Sequence, residues 1–263
     1  MEEVIEILKQ LTGKKKIILT RRGNKAIKFS LKALASAGKT KLFIQDQGGW
    51  MTYPQYAKDF GLGLIKLKTD YGLIKINRIK DQIDNKSILL INSMPGYFAV
   101  EDMKTLSEIS KKAGAVLIND ASGSIGSENA KFGDIIVGSF GKWKPVDVEY
   151  GGFIATDGNY FGDMESVFSA NFVPILVKKL KNLKKRTEFL KSKAKKVKQA
   201  LKNFEILHKE HDGLNVIVKF NNDKEKEKIL NYCEQNNLEY TICPRYIRVE
   251  EDAVSIEVKR LNG

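Results

Sequence analysis

The chain has 263 residues, of which 42% are hydrophobic and 29% are charged, enough to bury the core of one large domain and a smaller one. Its net charge is +13, and it contains only two cysteines and two histidines, which argues against a disulfide framework and against a zinc site. No apolar run approaches the roughly 18 residues that a membrane span requires, so we expect a protein of the reducing cytoplasm with no membrane partner and no metal.

Helical and strand-like patterns alternate through the first 155 residues. Apolar periodicity predicts four helices. One covers 2–11, one begins at about Gly23, one ends at about Phe60, and one covers 100–113. Apolar runs between them predict the strands 17–20, 41–45, 64–67, 87–92, 115–118 and 135–137. This alternation predicts an α/β fold, in which a mostly parallel sheet carries helices on both faces.

The ends of these predicted strands share a feature. Five of the six are followed by a residue suited to a ligand-binding turn, namely Gly23, Gly48, Gly96, Asp120 or Ser139. Because ligands of parallel sheets bind beyond the carboxyl ends of the strands, we expect these residues to line one edge of the sheet.

The positive charge is concentrated in one segment, Lys178–Lys202, which contains eleven lysines, one arginine and one glutamate. Apolar residues recur there alternately four and three positions apart, which predicts one long helix with a single apolar seam. The seam is Leu176, Leu180, Leu183, Thr187, Leu190, Ala194, Val197 and Leu201. We interpret the lysines as a solvated face. Nucleic-acid binding is possible but not favoured, since Phe189 is the only aromatic residue in the segment.

The end of the chain has a different pattern. Strand 214–220, a charged helix over 223–236, strands 239–243 and 246–249, and strand 254–258 predict a small α+β domain. We therefore expect a large domain over residues 1–175. Residues 176–263 would contain the long connecting helix and the small domain.

Asn119–Gly152 is the most informative segment for function. Asp120 ends one apolar run, Ser139 ends another, and Lys142 and Lys144 follow in a turn that closes on Gly151-Gly152. Pyridoxal phosphate (PLP) chemistry needs this pair of groups. A lysine forms a Schiff base with the cofactor, and a carboxylate pairs with its protonated pyridine nitrogen.

At these residues the chain resembles PLP enzymes of fold type I, and most of all the DegT/StrS group of sugar aminotransferases. Gly133-Asp134, Ser139-Phe140, Lys144 and Gly151-Gly152 match the family pattern without a gap. The resemblance implies that Lys144 is the Schiff-base lysine, Asp120 the partner of the pyridine nitrogen and Ser139 a phosphate ligand. It places Trp50 on the cofactor ring and Gly23-Asn24-Lys25 on the loop that holds the phosphate. It also matches Asn171 with an asparagine lent to the neighbouring subunit.

The chain departs from the family at two positions. Gly123 stands where the family usually has a histidine or glutamine that helps to clamp the cofactor, and Asn24 stands in place of a threonine in the phosphate turn. The lysine also has an alternative. In enzymes that resemble cysteine desulfurases it follows the serine by three residues, which fits Lys142 rather than Lys144.

The expected function is that of a PLP-dependent aminotransferase, acting on a small-molecule amino donor and acceptor and assembled as a homodimer. Arg245 and Arg248 are candidates for binding a substrate carboxylate, because a guanidinium can hold a carboxylate in bidentate fashion. Two alternatives remain. One is another PLP reaction, of lyase or desulfurase type. The other is a non-catalytic fold-type-I protein that binds polyanions through its basic helix.

Overall fold

Residues 1–262 are described by the computed structural model. The strands, in chain order, are β1 (Lys16–Thr20), β2 (Lys41–Gln45), β3 (Gly63–Leu67), β4 (Thr69–Asp70), β5 (Leu73–Ile74), β6 (Ser87–Asn92), β7 (Val116–Asp120), β8 (Ile135–Ser139), β9 (Gly152–Thr156), β10 (Val216–Lys219), β11 (Tyr240–Cys243) and β12 (Ala253–Ile256). The α-helices are α1 (Glu2–Thr12), α2 (Gly23–Ser36), α3 (Tyr53–Asp59), α4 (Met103–Ala113), α5 (Val173–Lys181), α6 (Leu183–Ala200) and α7 (Asp223–Gln235).

The centre of the fold is a seven-stranded sheet in the order β1-β9-β8-β7-β6-β2-β3. Strands β3, β2, β6, β7 and β8 pair in parallel, whereas β9 runs antiparallel to both β8 and β1. The sheet is therefore mostly parallel, as predicted, and the carboxyl ends of β1, β2, β6, β7 and β8 lie at one edge. The antiparallel strand β9 was not among the predicted strands.

Helices cover both faces of this sheet, which confirms the predicted layering. Alternate strand residues such as Ile44, Leu90 and Ile118 pack with α2 and α3 on one face. Their neighbours on the opposite face, among them Leu89 and Leu117, pack with α4, while the β1–β9–β8 end of that face packs with α1 and α5. This alternation is the expected consequence of the two-residue period of a strand.

The basic segment differs from the predicted single long helix, because it is divided at Asn182 into α5 and α6. The seam is buried apart from the half-buried Thr187, but it serves two separate cores. Leu176, Leu180 and Leu183 pack with the central sheet, whereas the seam residues from Leu190 onward pack with the small sheet. The division falls at Asn182, a weak helix former, one residue before Leu183, the last seam residue that packs with the central sheet.

Leu190→Ala should lower the free energy of unfolding by about 2–5 kcal/mol, because Leu190 is fully buried in the core of the small sheet. Urea unfolding followed by circular dichroism would measure the loss. Lys195→Ala is the matched control on the same helix: Lys195 is exposed, so its effect should stay within about 0.5 kcal/mol. Equal losses in the two variants would contradict the assignment of Leu190 to the core.

The C-terminal segment contains a three-stranded antiparallel sheet in the order β10-β12-β11, against which α7 packs. The predicted order of strand, helix and two further strands is present. Residues 246–249, predicted as a strand, instead form a turn. The Arg248 amide donates to Arg245 O at 2.8 Å, and the Arg245 amide donates to Val249 O at 2.7 Å. These short-range bonds replace the ladder that a strand would need.

No helix in residues 1–262 combines the length and the low charge that crossing a membrane requires. Within the same residues no group of three or more histidine, cysteine, aspartate or glutamate side chains is arranged to hold a metal ion.

Candidate active site

A cavity of about 330 Å³ opens at the carboxyl ends of the parallel strands, between the central sheet and the C-terminal segment. It brings together most of the residues that the sequence singled out, which are Gly23, Gly48, Asn24, Trp50, Asp120, Ser139, Lys142, Lys144, Arg245 and Arg248. Gly96 lies just behind the lining, where its amide donates to Gly48 O at 3.0 Å. Residues from distant parts of the chain thus meet at the predicted edge of the sheet.

Asp120, the last residue of β7, presents a carboxylate to the cavity while only 5% of the residue is exposed. The Tyr53 hydroxyl donates to Asp120 Oδ2 at 2.5 Å, and the Ser122 amide donates to Oδ1 at 3.0 Å. Burial, reinforced by the negative charge of Asp120, raises the pKa of Tyr53 well above its usual value. Tyr53 therefore remains a hydroxyl donor, and the carboxylate is held in one orientation.

Trp50 and Asn24 form a second wall. The Trp50 indole nitrogen donates to Asn24 Oδ1 at 2.8 Å, which fixes the plane of the half-buried ring. Asn24 lies in the first turn of α2, so the same hydrogen bond ties the aromatic wall to the start of that helix. A fixed indole face is a suitable surface for a flat aromatic ligand.

The start of α2 approaches the end of β8 unusually closely. A Cβ on Gly23 would lie 2.5 Å from Ser139 Cβ, a distance that no side chain tolerates. Gly23 is thus required for the close approach of backbone to Ser139, and the first turn of α2 has no side-chain cap of its own. Backbone N–H groups at a helix N-terminus are favourable partners for a phosphate.

Lys144 lies in the turn after β8, and its amine is surrounded by aromatic rings. Lys144 Nζ is hydrogen-bonded to the Tyr97 hydroxyl and lies 5.4 Å from the centroid of the Trp50 ring. Lys142 also lines the cavity, but it is exposed and its Nζ lies 4.9 Å from the Trp143 ring. Of the two candidate lysines, Lys144 is the half-buried one beside Trp50.

Tyr97 occupies the space that the departure at Gly123 leaves open. A Cβ on Gly123 would lie 3.0 Å from Tyr97 Cε1 and 3.1 Å from Met94 Cβ, so a histidine or glutamine at this position would require the tyrosine ring to move by a few tenths of an ångström. Tyr97 itself has a positive φ of 66°, which is uncommon for a residue with a side chain. The aromatic ring and the small residue therefore depend on each other.

Arg248 is placed differently from what its predicted role requires. It lines the cavity, yet Nε and Nη2 both donate to the Glu257 carboxylate at 2.7 Å, and Nη1 donates to Ile247 O. Burial alone would raise the pKa of Glu257, but the hydrogen bonds and charge of Arg248, together with Lys259 and Arg260, lower it to about 2. Arg248 is therefore engaged in a buried ion pair, whereas Arg245 is exposed at the cavity rim.

Two predicted residues are not brought into this cavity. The Lys25 side chain is exposed and does not line it, although its backbone belongs to the first turn of α2. Asn171 is also exposed and does not line the cavity; it lies in the short 3₁₀ turn before α5. Its predicted role concerns a neighbouring subunit, which a single chain does not contain.

The sequence did not single out several residues that complete the site, namely Tyr53, Tyr97, Trp143, Lys259 and Arg260. Two of them carried a usable signal, because Tyr53 follows Trp50 by three residues and Tyr97 follows Gly96 directly. Lys259 and Arg260 carried none, since only the tertiary fold brings them to the cavity.

Comparisons with protein families find two matches along the chain. The model described as the DegT/DnrJ/EryC1/StrS aminotransferase family matches residues 2–171, and the model of the MJ1341 family C-terminal domain matches residues 177–263. A search of the curated proteins finds no match.

Solved structures with the same fold include PLP enzymes. NtdA from Bacillus subtilis, with bound cofactor PMP, has a TM-score of 0.74 at 18% identity, and the match covers 97% of this chain and 72% of that one. The PMP form of Spr1654 from Streptococcus pneumoniae, assigned as a sugar aminotransferase, has a TM-score of 0.77 at 10% identity, covering 98% and 84%. 3-Amino-5-hydroxybenzoic acid synthase has a TM-score of 0.72 at 13% identity, covering 98% and 86%.

At these identities the structural likeness shows the fold, which is that of PLP enzymes of fold type I. The family model matches well over half of the residues, in the part of the chain that builds the central sheet and supplies Asp120 and Lys144. The chain belongs to the DegT/DnrJ/EryC1/StrS aminotransferase family.

Proposed function

We propose that the protein is a PLP-dependent aminotransferase that moves an amino group from a small-molecule donor to a carbonyl acceptor, with Lys144 as the lysine that holds the cofactor. One observation carries the proposal: a single cavity presents the Lys144 amine, the buried Asp120 carboxylate and the fixed Trp50 ring together. Membership of an aminotransferase family and the PMP-bound structures of the same fold support it.

The residues present fit PLP. The close approach of Gly23 to Ser139 leaves a cradle of backbone and hydroxyl at the start of α2, which suits a phosphate. Asp120 suits a protonated ring nitrogen, and Trp50 suits a flat ring. When bound, PLP supplies an aldehyde that bonds to an amine and an electron-poor ring that withdraws electrons from it.

The chain's own groups would then act as follows. Lys144 Nζ holds the cofactor and, once released, accepts and returns the proton that the transfer moves. The Tyr97 hydroxyl, bonded to this amine, keeps it directed into the cavity. The Asp120 carboxylate is held in one orientation by Tyr53 and by the Ser122 amide, so its negative charge stays at one place in the cavity.

Substrate binding and assembly are further parts of the proposal. Arg245 is exposed at the cavity rim and is available to an anionic substrate. Arg248 instead holds this part of the rim in place through its buried ion pair with Glu257. We propose a homodimer in the cytoplasm, in which Asn171 of each chain reaches the neighbouring subunit's site. Residues 1–175 and 176–263 would act as large and small domain.

Borohydride reduction followed by peptide mapping tests the proposal. The protein is saturated with PLP, reduced and digested, and the pyridoxyl group is expected on the peptide that contains Lys144. A label on Lys142 would contradict the assignment of the lysine. The absence of any label would contradict the enzyme proposal and favour a binding protein.

The same experiment separates amino transfer from other PLP reactions. Incubation with an amino donor before reduction should protect Lys144 from labelling and release the cofactor as its free amine form, because a transferase completes this conversion. A donor that protects Lys144 but is itself reduced onto the cofactor has only displaced the lysine. Screening the common amino acids for protection would also identify the donor. A cofactor that is bound but never converted by any donor would favour a lyase or desulfurase-like reaction.

A further inference from the structure

The C-terminal wall of the cavity contains more positive charge than the nearby carboxylate neutralises. Arg248, Lys259 and Arg260 all line the cavity, and all three surround Glu257. Glu257 and Lys259 are almost completely buried, at 1% and 4% exposure. Since buried charge is costly unless it is paired, an excess of buried cations needs an explanation.

Glu257 is already saturated by other donors. Its two oxygens accept two hydrogen bonds from Arg248, one from Asn215 at 3.1 Å and one from Ser255 at 3.0 Å. Lys259 Nζ and Arg260 Nε remain 3.5 Å and 3.6 Å from Glu257 Oε2, too far for good hydrogen bonds.

Arg260 has a second carboxylate, but it leaves part of the guanidinium unsatisfied. Nη1 pairs with Glu239 Oε2 at 2.7 Å, and Glu239 is mostly exposed. The buried Nε of Arg260 has no hydrogen-bond partner among residues 1–262. A buried donor without an acceptor costs free energy that an external acceptor would return.

Aromatic rings hold both cations in place. The Arg260 guanidinium stacks 4.2 Å from the Trp143 ring, and Lys259 Nζ lies 4.8 Å from the Tyr97 ring and 5.6 Å from the Trp143 ring. Such contacts orient a cation and attract it weakly, but they do not cancel its charge. The two cationic groups are thus preorganised beside the cavity.

The ionisation of Lys259 reflects this environment. Burial lowers its pKa to about 7; the positive charges of Arg248, Lys144 and Arg260 act in the same direction, and only Glu257 opposes them. The groups that face Lys259 therefore come from three parts of the chain: the turn after β8, the turn before β12 and the last residues. An anion among them would favour the charged form of the lysine.

We propose that Lys259 and Arg260, with Arg245 at the rim, form a subsite for a compact dianionic group of the substrate, either a phosphate ester or a pair of carboxylates. The subsite is built by the C-terminal segment, separately from the Gly23–Ser139 cradle of the central sheet. It rests on the proposed function only in assigning the anion to the substrate.

Tryptophan fluorescence offers a direct measurement, because Trp50 and Trp143 are the only tryptophans of the chain and both line the cavity. The PLP-saturated protein is titrated with sulfate and with succinate, and sodium chloride at matched ionic strength is the control. We expect saturable changes with one or both dianions and none with chloride. A stronger response to sulfate identifies a phosphate-type substrate, and a stronger response to succinate identifies a dicarboxylate.

Substitution of Lys259 locates the site. Lys259→Met should weaken dianion binding by about tenfold or more, the loss expected for a charge-assisted hydrogen bond. Lys195→Met is the control. Lys195 is exposed on α6 and does not line the cavity, so its removal should change binding by less than about threefold.

The dependence on pH provides a second readout. Sulfate stays a dianion from about pH 6 to about pH 9, while free Lys259 loses its proton near the middle of this range. Sulfate affinity should therefore be constant below about pH 7 and fall as the pH rises above it. Lys259→Arg keeps its charge throughout, so its sulfate affinity should be nearly independent of pH.

Three results would overturn the subsite: dianion responses no larger than that of chloride, wild-type affinity in folded Lys259→Met, or the same pH dependence in Lys259→Arg as in the wild type. Should Lys259→Met not fold, the pH profile of Lys259→Arg decides. Labelling of Lys144 is measured on the same preparations. Labelling without a dianion response overturns only the subsite, and a dianion response without labelling overturns only the PLP proposal.

Discussion

Asp120→Asn should leave the fold intact and nearly abolish amino transfer. The amide is the same size, and its oxygen can still accept the hydrogen bond from Tyr53. It cannot, however, pair as an anion with a protonated ring nitrogen in a buried site. Breaking a buried ion pair costs about 3–5 kcal/mol, which corresponds to a fall of about 10²–10⁴-fold in rate if the pair acts in the transition state.

The measurement is the rate of the first half-reaction, followed by the change in cofactor absorbance with the donor that protects Lys144. Thermal melting checks the fold. Asp163→Asn is the matched control, because it removes the same charge from an exposed position that does not line the cavity. Wild-type rates in Asp120→Asn would mean that the carboxylate caps a strand end and has no part in the chemistry.

The central fold could be predicted because its signals are local. Strand β7 and helix α2 each carry their pattern within a few residues, so alternating segments were enough to predict a parallel sheet and the edge at which ligands bind. The division at Asn182 was not predicted, because the apolar seam continues through this residue without interruption. The seam also does not reveal that Leu183 and Leu190, both on α6, pack in different cores.

The candidate site also contains some residues that local sequence predicts and others that it does not. Asp120, Ser139 and Lys144 lie within one short stretch, so their spacing along the chain was enough to predict that they belong to one site. The structure brings them to one cavity. Tyr97 is different, because its place depends on the absence of a side chain at Gly123, a residue on another strand end. In the sequence, Gly123 looks like the loss of a side chain that clamps the cofactor. In the structure, the Tyr97 ring occupies the space beside Gly123.

The two arginines of the small sheet illustrate a limit of motif reasoning. Arg245 and Arg248 lie three residues apart and look equivalent as anion ligands. The fold buries Arg248 against Glu257 and leaves Arg245 exposed, a distinction that depends on a carboxylate nine residues further along and on the turn at 246–249. Lys259 and Arg260 line the cavity with them, although they lie on a different part of the chain.

Lys144→Met should show the largest effect of any single substitution in this chain. It removes the group that holds the cofactor and the group that moves the proton, and general acid–base catalysis alone contributes about 10²–10⁴-fold. We therefore expect turnover to fall by at least about 10⁴-fold. The pyridoxyl label should disappear from this peptide after borohydride reduction. The fold should be retained, because the side chain is only half-buried and the bond to Tyr97 is its one hydrogen bond within residues 1–262.

Lys142→Met is the control that makes the result decisive, since it removes a lysine two residues away that also lines the cavity. This variant should keep its label on Lys144 and its rate within a few-fold, because an exposed cation contributes little at this distance. Added ethylamine should partly restore proton transfer in Lys144→Met and leave Lys142→Met unchanged, as expected if the missing amine acts at the reacting atoms. If Lys142→Met were the inactive variant, the catalytic turn would have the three-residue spacing of the desulfurase-like enzymes. Lys144 would then be a second cation of the cavity, held by Tyr97.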